Sequence, residues 1–259
     1  MSKVWCVSSG KGGVGKTFIS SGLGISLAKL RKKILLVDFD LSGANLHAAL
    51  GCNQHRKSIL DYLESKNSLE EIITKSTFSN VDYIAGFNMP YLGTELGLLK
   101  AEELVKSLKQ LNYDIIIFDL GAGAAKSYLN LMNFADKNLL VTNCEPGSLE
   151  KTYKFIDQII EEKVKIPNLE LMINSCRSQQ HKNIGQTLEH DMQKKHGIHT
   201  TYAGFIQFDN AVWQSTVSAQ NPINITQNVF TLMPYSTVCH DFYKISKQFI
   251  DPKEVRAVS

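Results

Sequence analysis

Apolar residues follow two rhythms along this chain. Short and nearly unbroken apolar runs occupy residues 3–8 (KVWCVS), 33–39 (KILLVDF), 81–85, 113–120 (YDIIIFDL), 138–142 (NLLVT), 169–174 (LELMIN) and 203–208. Runs of this length and continuity predict strands covered on both faces, as in a parallel sheet. Between them, apolar positions recur at helical spacing. Residues 16–30 carry Ile19, Leu23, Leu27 and Leu30 on one stripe, and residues 101–111 repeat the pattern. Further helices are predicted near residues 126–135, 148–163, 183–196, 209–219 and 235–250. Strand–helix alternation on this scale predicts an α/β fold: a doubly wound, mostly parallel sheet flanked by helices, with right-handed crossovers. No repeat, low-complexity segment or proline-rich linker divides the sequence, so a single domain over residues 1–259 is expected. Residues 53–100 are less regular and are expected to form a surface subregion at one edge.

Composition narrows the class without deciding it. The chain has 259 residues, 43% of them hydrophobic and 20% charged, which suits one large globular core. A formal net charge of +3 is too small to argue for nucleic-acid binding. The five cysteines form no C-x-x-C pair and fall mostly in or beside apolar runs, so they are expected to be reduced, as core or incidental residues. The opening MSKVWCVSSGKGG reaches glycine too early for a signal peptide. No apolar run approaches the roughly 20 residues of a membrane span. A cytoplasmic location is therefore expected.

The chemistry concentrates at residues 8–17, SSGKGGVGKT. Gly10-Lys11-Gly12-Gly13-Val14-Gly15-Lys16-Thr17 satisfies the phosphate-loop pattern G-x-x-x-x-G-K-[ST], set between a predicted strand and a predicted helix. Its glycines allow successive backbone N–H groups to turn inward as an anion nest, and the helix behind adds the positive end of its dipole. Lys16 is placed to reach the β- and γ-phosphates, and Thr17 to ligate Mg²⁺. ATP or ADP with Mg²⁺ is thus the expected cofactor set, and nucleotide contact is expected from Gly10 through Phe18. Asp119 closes the run IIIFD and is the natural residue to hold the metal through water. Gly121 and Gly123 follow at once, as a switch loop that would sense the γ-phosphate through its backbone. Asp38 and Asp40 end the run LLVDFD, and strand alternation puts both on one side, at the sheet edge where ligands of such folds bind. One carboxylate would order the metal's solvent shell and the other would position the attacking water.

A lysine as early as Lys11 gives the loop its deviant Walker A form, and the chain resembles the MinD/ParA class of P-loop ATPases. The stretches LLVDFDLSGANLHAALG (35–51), IIIFDLGAG (115–123) and EPGSLEKTYKFI (145–156) resemble the MinD branch, most of all the flagellar-number regulators called FlhG or FleN. The likeness covers most of residues 1–235. It implies that Lys16 serves its own nucleotide, while Lys11 reaches across a homodimer with ATP sandwiched at the interface, a cation supplied in trans. It further assigns Asp40 to the attacking water, Asn174 to the adenine edge and Asn45 to the vicinity of the dimer face. Phe18, Leu120 and the stretch LSGAN depart from the class pattern. None of them removes a phosphate or metal ligand.

The resemblance also implies a protein partner that the sequence does not identify, and recruitment by it to the inner membrane or a cell pole. Relatives in this branch end in a lipid-binding amphipathic helix. Here Phe242, Ile245, Phe249 and Ile250 recur at helical spacing with Lys244 and Lys247 between them, before Pro252. That pattern suits a membrane-surface helix, but it suits a last helix packed on the sheet better, and the core reading is preferred. The basic runs at 29–33 (KLRKK) and Lys194-Lys195-His196 are read as solvated helix ends rather than a DNA surface. The expected function is an ATP-dependent dimerising ATPase switch that positions or counts a cellular structure. Its rivals are a P-loop metabolic enzyme that activates a small substrate with ATP, such as dethiobiotin synthetase or the cobyrinic-acid amidation enzymes, and a ParA-like ATPase that binds DNA non-specifically. Lys11 and the GANLH segment favour the switch.

Overall fold

The computed structural model describes residues 1–40, 43–53, 57–87, 98–218 and 224–250, the side chains of 215–218 excepted. Strands β1 (Lys3–Ser9), β2 (Ile34–Phe39), β3 (Ile73–Lys75), β4 (Val81–Ile84), β5 (Ile115–Ala122), β6 (Lys137–Asn143), β7 (Leu169–Cys176) and β8 (Thr200–Gln207) form one eight-stranded sheet ordered β3-β4-β2-β5-β1-β6-β7-β8. Every pairing is parallel except β3 on β4. The helices are α1 (Lys16–Lys29), α2 (Leu46–Ala49), α3 (Ile59–Leu63), α4 (Leu69–Ile72), α5 (Leu98–Lys109), α6 (Lys126–Phe134), α7 (Pro146–Glu161), α8 (Gln179–His196), α9 (Asn210–Ser218), α10 (Ile225–Leu232) and α11 (Thr237–Phe249). The predicted doubly wound sheet is the observed one.

Two cores explain this arrangement. One face of the sheet contributes Leu35, Val37, Ile116, Phe118 and Leu140 to a cluster with α5, α6, α7 and α8; the other contributes Trp5, Val7, Leu36, Ile117 and Val141 to a cluster with α1, α10 and α11. Alternate residues of β2 and β5 thus feed opposite cores, which is why these strands read as unbroken apolar runs. The described residues of the irregular region at 53–100 supply α3, α4, the short antiparallel β3 and β4, and these two strands form one edge of the sheet.

Helix α11 settles the reading of the C-terminal apolar stripe. Phe242 is fully buried, Ile245 is 3% exposed and Ile250 5%. The Phe242 ring meets Phe18 at 5.4 Å and Phe230 at 5.7 Å between centroids, and it occupies the space that a side chain at Gly22 would need. Burying one such ring contributes about 1.5–3 kcal/mol. Lys244 and Lys247 face outward. The stripe is a core face, and among the described residues no helix is long and apolar enough to cross a membrane. Pro252 and the residues after it lie outside the described chain.

The basic runs are also accounted for. Lys29 stands over the Phe230 ring at 5.0 Å, Lys195 pairs with Asp191 at 2.8 Å, and His196 lies 3.4 Å from Asp157. Helix α10 was not expected, nor were the short helices α2, α3 and α4. Strands β5 and β7 run two residues further than their apolar runs, and this extra length carries Gly121 and Ala122 into the ladder.

Candidate functional site

Strand β1 ends at the centre of the sheet, and its chain turns through residues 10–15 into α1. Gly13 (φ 78°) and Gly15 (φ 96°) take left-handed backbone conformations there, which glycine adopts without strain. The turn is clamped from both sides. Asn174, at the carboxyl end of β7 and 6% exposed, donates its amide to the Val14 carbonyl at 2.9 Å. On the other side a Cβ at Gly10 would run into the Lys151 carbonyl of α7. Ser9 Oγ donates to the Lys11 carbonyl at 2.8 Å. The first turn of α1 contains no acidic residue, so no side chain of that turn offsets the positive end it presents to the loop.

Behind the loop stand two buried carboxylates. Asp38 of β2 and Asp119 of β5 are register partners on adjacent strands, with 0% and 1% exposure. Ser20 Oγ, one helical turn beyond Thr17 on α1, donates to Asp119 Oδ1 at 2.9 Å, and the Thr17 hydroxyl binds the same carboxylate. Asp38 accepts from the Leu46 N–H at 2.9 Å and the Asp40 N–H at 3.2 Å. Burial, above all, pushes both carboxyls well above the ordinary range, and neighbouring negative charge adds to it. Lys16 lies among them at 7% exposure; burial pulls its pKa down, against the charges of Asp119 and Asp40. Paired carboxylates with a hydroxyl beside them, too little counter-charge and only oxygen donors make a set that fits a small hard divalent cation.

Asp40 stands at the rim, half-buried, where Oδ1 accepts from the Gly43 N–H at 3.1 Å. Gly123 (φ 86°) donates its N–H to the Ser9 carbonyl at 2.8 Å, so the switch segment is tied to the end of β1. Gly121 belongs to β5 itself rather than to a loop. Asn45 is exposed at the start of α2. Leu41 and Ser42 of the LSGAN stretch lie outside the described residues. The Phe18 ring turns away from the loop and packs on Phe242, so its side chain belongs to the core and only its backbone remains near the phosphate side.

The two lysines of the loop are treated differently. Lys16 is enclosed, whereas the Lys11 side chain is 39% exposed and its ammonium pairs with Glu145 Oε2 at 2.9 Å. Lys11, with Asp191's partner Lys195 and the other surface lysines, is screened by water; Lys16 is not. Glu145 precedes the first residue of α7, and the Lys11 ammonium is the first cause of its lowered pKa. Of these residues Ser20 and Glu145 were not singled out by the sequence. Ser20 could have been found from its spacing of three from Thr17 on one helix face; Glu145 lies 134 residues from Lys11 and offers no such signal.

Comparison with known proteins adds four findings. A family model described as "AAA domain" matches residues 2–173. The septum site-determining protein MinD of Bacillus subtilis is 30% identical over 198 residues, covering 76% of this chain and 73% of that protein. The antiactivator FleN of Pseudomonas aeruginosa is 26% identical over 213 residues, covering 81% and 75%. In fold, the septum site-determining protein MinD of Pyrococcus horikoshii OT3, solved as a complex with Mg-ADP, superposes with a TM-score of 0.76 at 24% identity over 96% of each chain.

Proposed function

This chain belongs to the AAA-domain family and, within it, to the MinD/ParA class of P-loop ATPases, and from that premise we propose that it is a nucleotide-gated dimerisation switch. It hydrolyses ATP as its class does, and the regulatory ATPases among its relatives support a role in positioning or counting a cellular structure such as a flagellum, a division site or a polar complex. The observation that carries the proposal is the division of labour in the loop: Lys16 is buried against Asp119 and Asp40, and Lys11 sits exposed on Glu145.

Lys16 and the loop N–H groups neutralise phosphate charge from inside the subunit. Thr17, with Asp119 and Asp38 behind it, would hold Mg²⁺, which supplies charge neutralisation on the phosphates. Asp40, outside that pair and nearer solvent, orients water for attack. Asn174 braces the loop through Val14, and its position at the β7 edge suits the adenine side. Two nucleotides brought face to face concentrate negative charge between subunits, and Lys11 from each partner offsets it. The Lys11–Glu145 pair is exposed, so water already screens it and its release is easy. Dimer assembly then creates a surface for a protein partner, and hydrolysis dissolves it.

Size-exclusion chromatography with light scattering, run without nucleotide, with ADP and with ATP, tests this reading. ATP alone of the three conditions should give a dimer. Asp40→Ala should bind ATP and accumulate as the dimer, because hydrolysis is the step it loses. Lys11→Ala should bind nucleotide and stay monomeric. Monomers in every condition, with ATP binding demonstrated, would sink the proposal.

A further inference from the structure

Tyr128 lies in the first turn of α6 and is 4% exposed. Its ring stands edge-on to Phe39 with centroids 6.4 Å apart, and Phe39 meets Phe118 in the same manner at 6.0 Å. This packing locks the ring and aims the phenol at the end of β5. A methyl group on Gly121 would collide with the Tyr128 hydroxyl and stand 3.0 Å from Asp40 Oδ1. The hydroxyl, the switch glycine and the Asp40 carboxylate therefore crowd one point. Leu120, between Asp119 and Gly121, brings no polar group to this corner; its side chain is buried in the same cluster as Tyr128.

We propose that Tyr128 is a positioning residue for ATP hydrolysis, its hydroxyl setting where the Asp40 carboxylate stands relative to the Gly121 backbone. The inference rests on the role given to Asp40 above. A phenol beside a carboxylate is a donor beside an acceptor. Unlike the oxygen of a serine or threonine rotor, this one stands at a fixed place, because the ring is held by Phe39, the residue next to Asp40. Gly121 is required for the approach, since any side chain there would push the hydroxyl and α6 away. A shift of the Gly121 backbone at the end of β5 is thereby passed to Asp40 through one oxygen. Tyr128 lies outside the phosphate loop, so binding of nucleotide is spared.

Tyr128→Phe keeps the ring and removes only that oxygen. Its kcat for ATP should fall about 5- to 30-fold, the scale of one hydrogen bond, with KM, Mg-ATP affinity and melting temperature at the parent's values. In single-turnover measurements Asp40→Ala and the double variant Asp40→Ala/Tyr128→Phe should show the same residual rate, because the hydroxyl acts only through the carboxylate. A parent-like kcat for Tyr128→Phe beside an inactive Asp40→Ala would overturn this inference and leave the dimerisation switch standing. A fall in kcat matched by a rise in KM or a loss of melting temperature would make the hydroxyl structural, and would overturn it too. Parent-like hydrolysis by Asp40→Ala would remove both this inference and the role of Asp40 in the proposed function.

Discussion

Asp38 and Asp119 lie side by side on adjacent strands without exposed surface, and their protons respond to it. An aspartate ordinarily releases its proton near pH 3.8, whereas burial raises Asp38 to about 8 in the folded chain. For an acid shifted upward, the folded state keeps a proton that the unfolded state has lost. Stability is therefore complete below about pH 4 as far as this group is concerned, and declines as pH rises toward 8, by up to ~1.4 kcal/mol per pH unit. The nucleotide-free protein should melt higher at pH 6 than at pH 8, and Asp38→Asn, which needs no such proton, should flatten the slope in a fluorimetric pH series. An unchanged slope would place the titrating group elsewhere. Lys16→Ala should weaken Mg-nucleotide binding by roughly 10- to 100-fold, the scale of a charged hydrogen bond; calorimetry showing parent affinity would mean the phosphates bind elsewhere. Both residues could be read from the sequence, because a phosphate loop is built from neighbours in the chain and its carboxylates punctuate apolar runs. Ser20, Glu145 and Tyr128 could not be read as readily. Their partners are Asp119, Lys11 and the Gly121–Asp40 corner, brought together by the sheet order and not by spacing along the chain.

At the scale of elements, the central parallel strands β1, β2, β5 and β6 were legible because each is covered on both faces and so has no polar phase to blur its run; the edge strand β8, largely half-exposed, starts three residues before its apolar run. Helix α10 was not, although Ile225, Val229 and Phe230 have helical spacing. It is only eight residues long, and its apolar stripe is completed by contact with α1 and α11 rather than by its own length. The fate of α11 was open in the sequence because a membrane helix and a core helix share one pattern; what differs is the surface opposite. Here that surface is α1, whose Gly22 leaves room for the Phe242 ring. Phe242→Ala should accordingly cost about 3–5 kcal/mol, read as a lower urea midpoint with an unchanged slope. A loss below ~1 kcal/mol would show that α11 is not anchored in this core.

The molecule as a whole joins a site at the middle of a sheet to helices on its surface. A joint that passes through a side chain can absorb a displacement by a change of rotamer. The joint between the phosphate loop and α7 is different. A side chain at Gly10 would overlap the Lys151 carbonyl, so loop and helix meet main chain to main chain. Beyond that contact α7 turns Lys151, Lys154, Asp157 and Gln158 to solvent. In mechanical terms the loop and the helix form a stiff strut with no spring between its ends. A displacement of α7 would therefore press directly on the loop, and a displacement of the loop would press directly on α7. A protein that took hold of α7 would have its hand on the nucleotide without touching it.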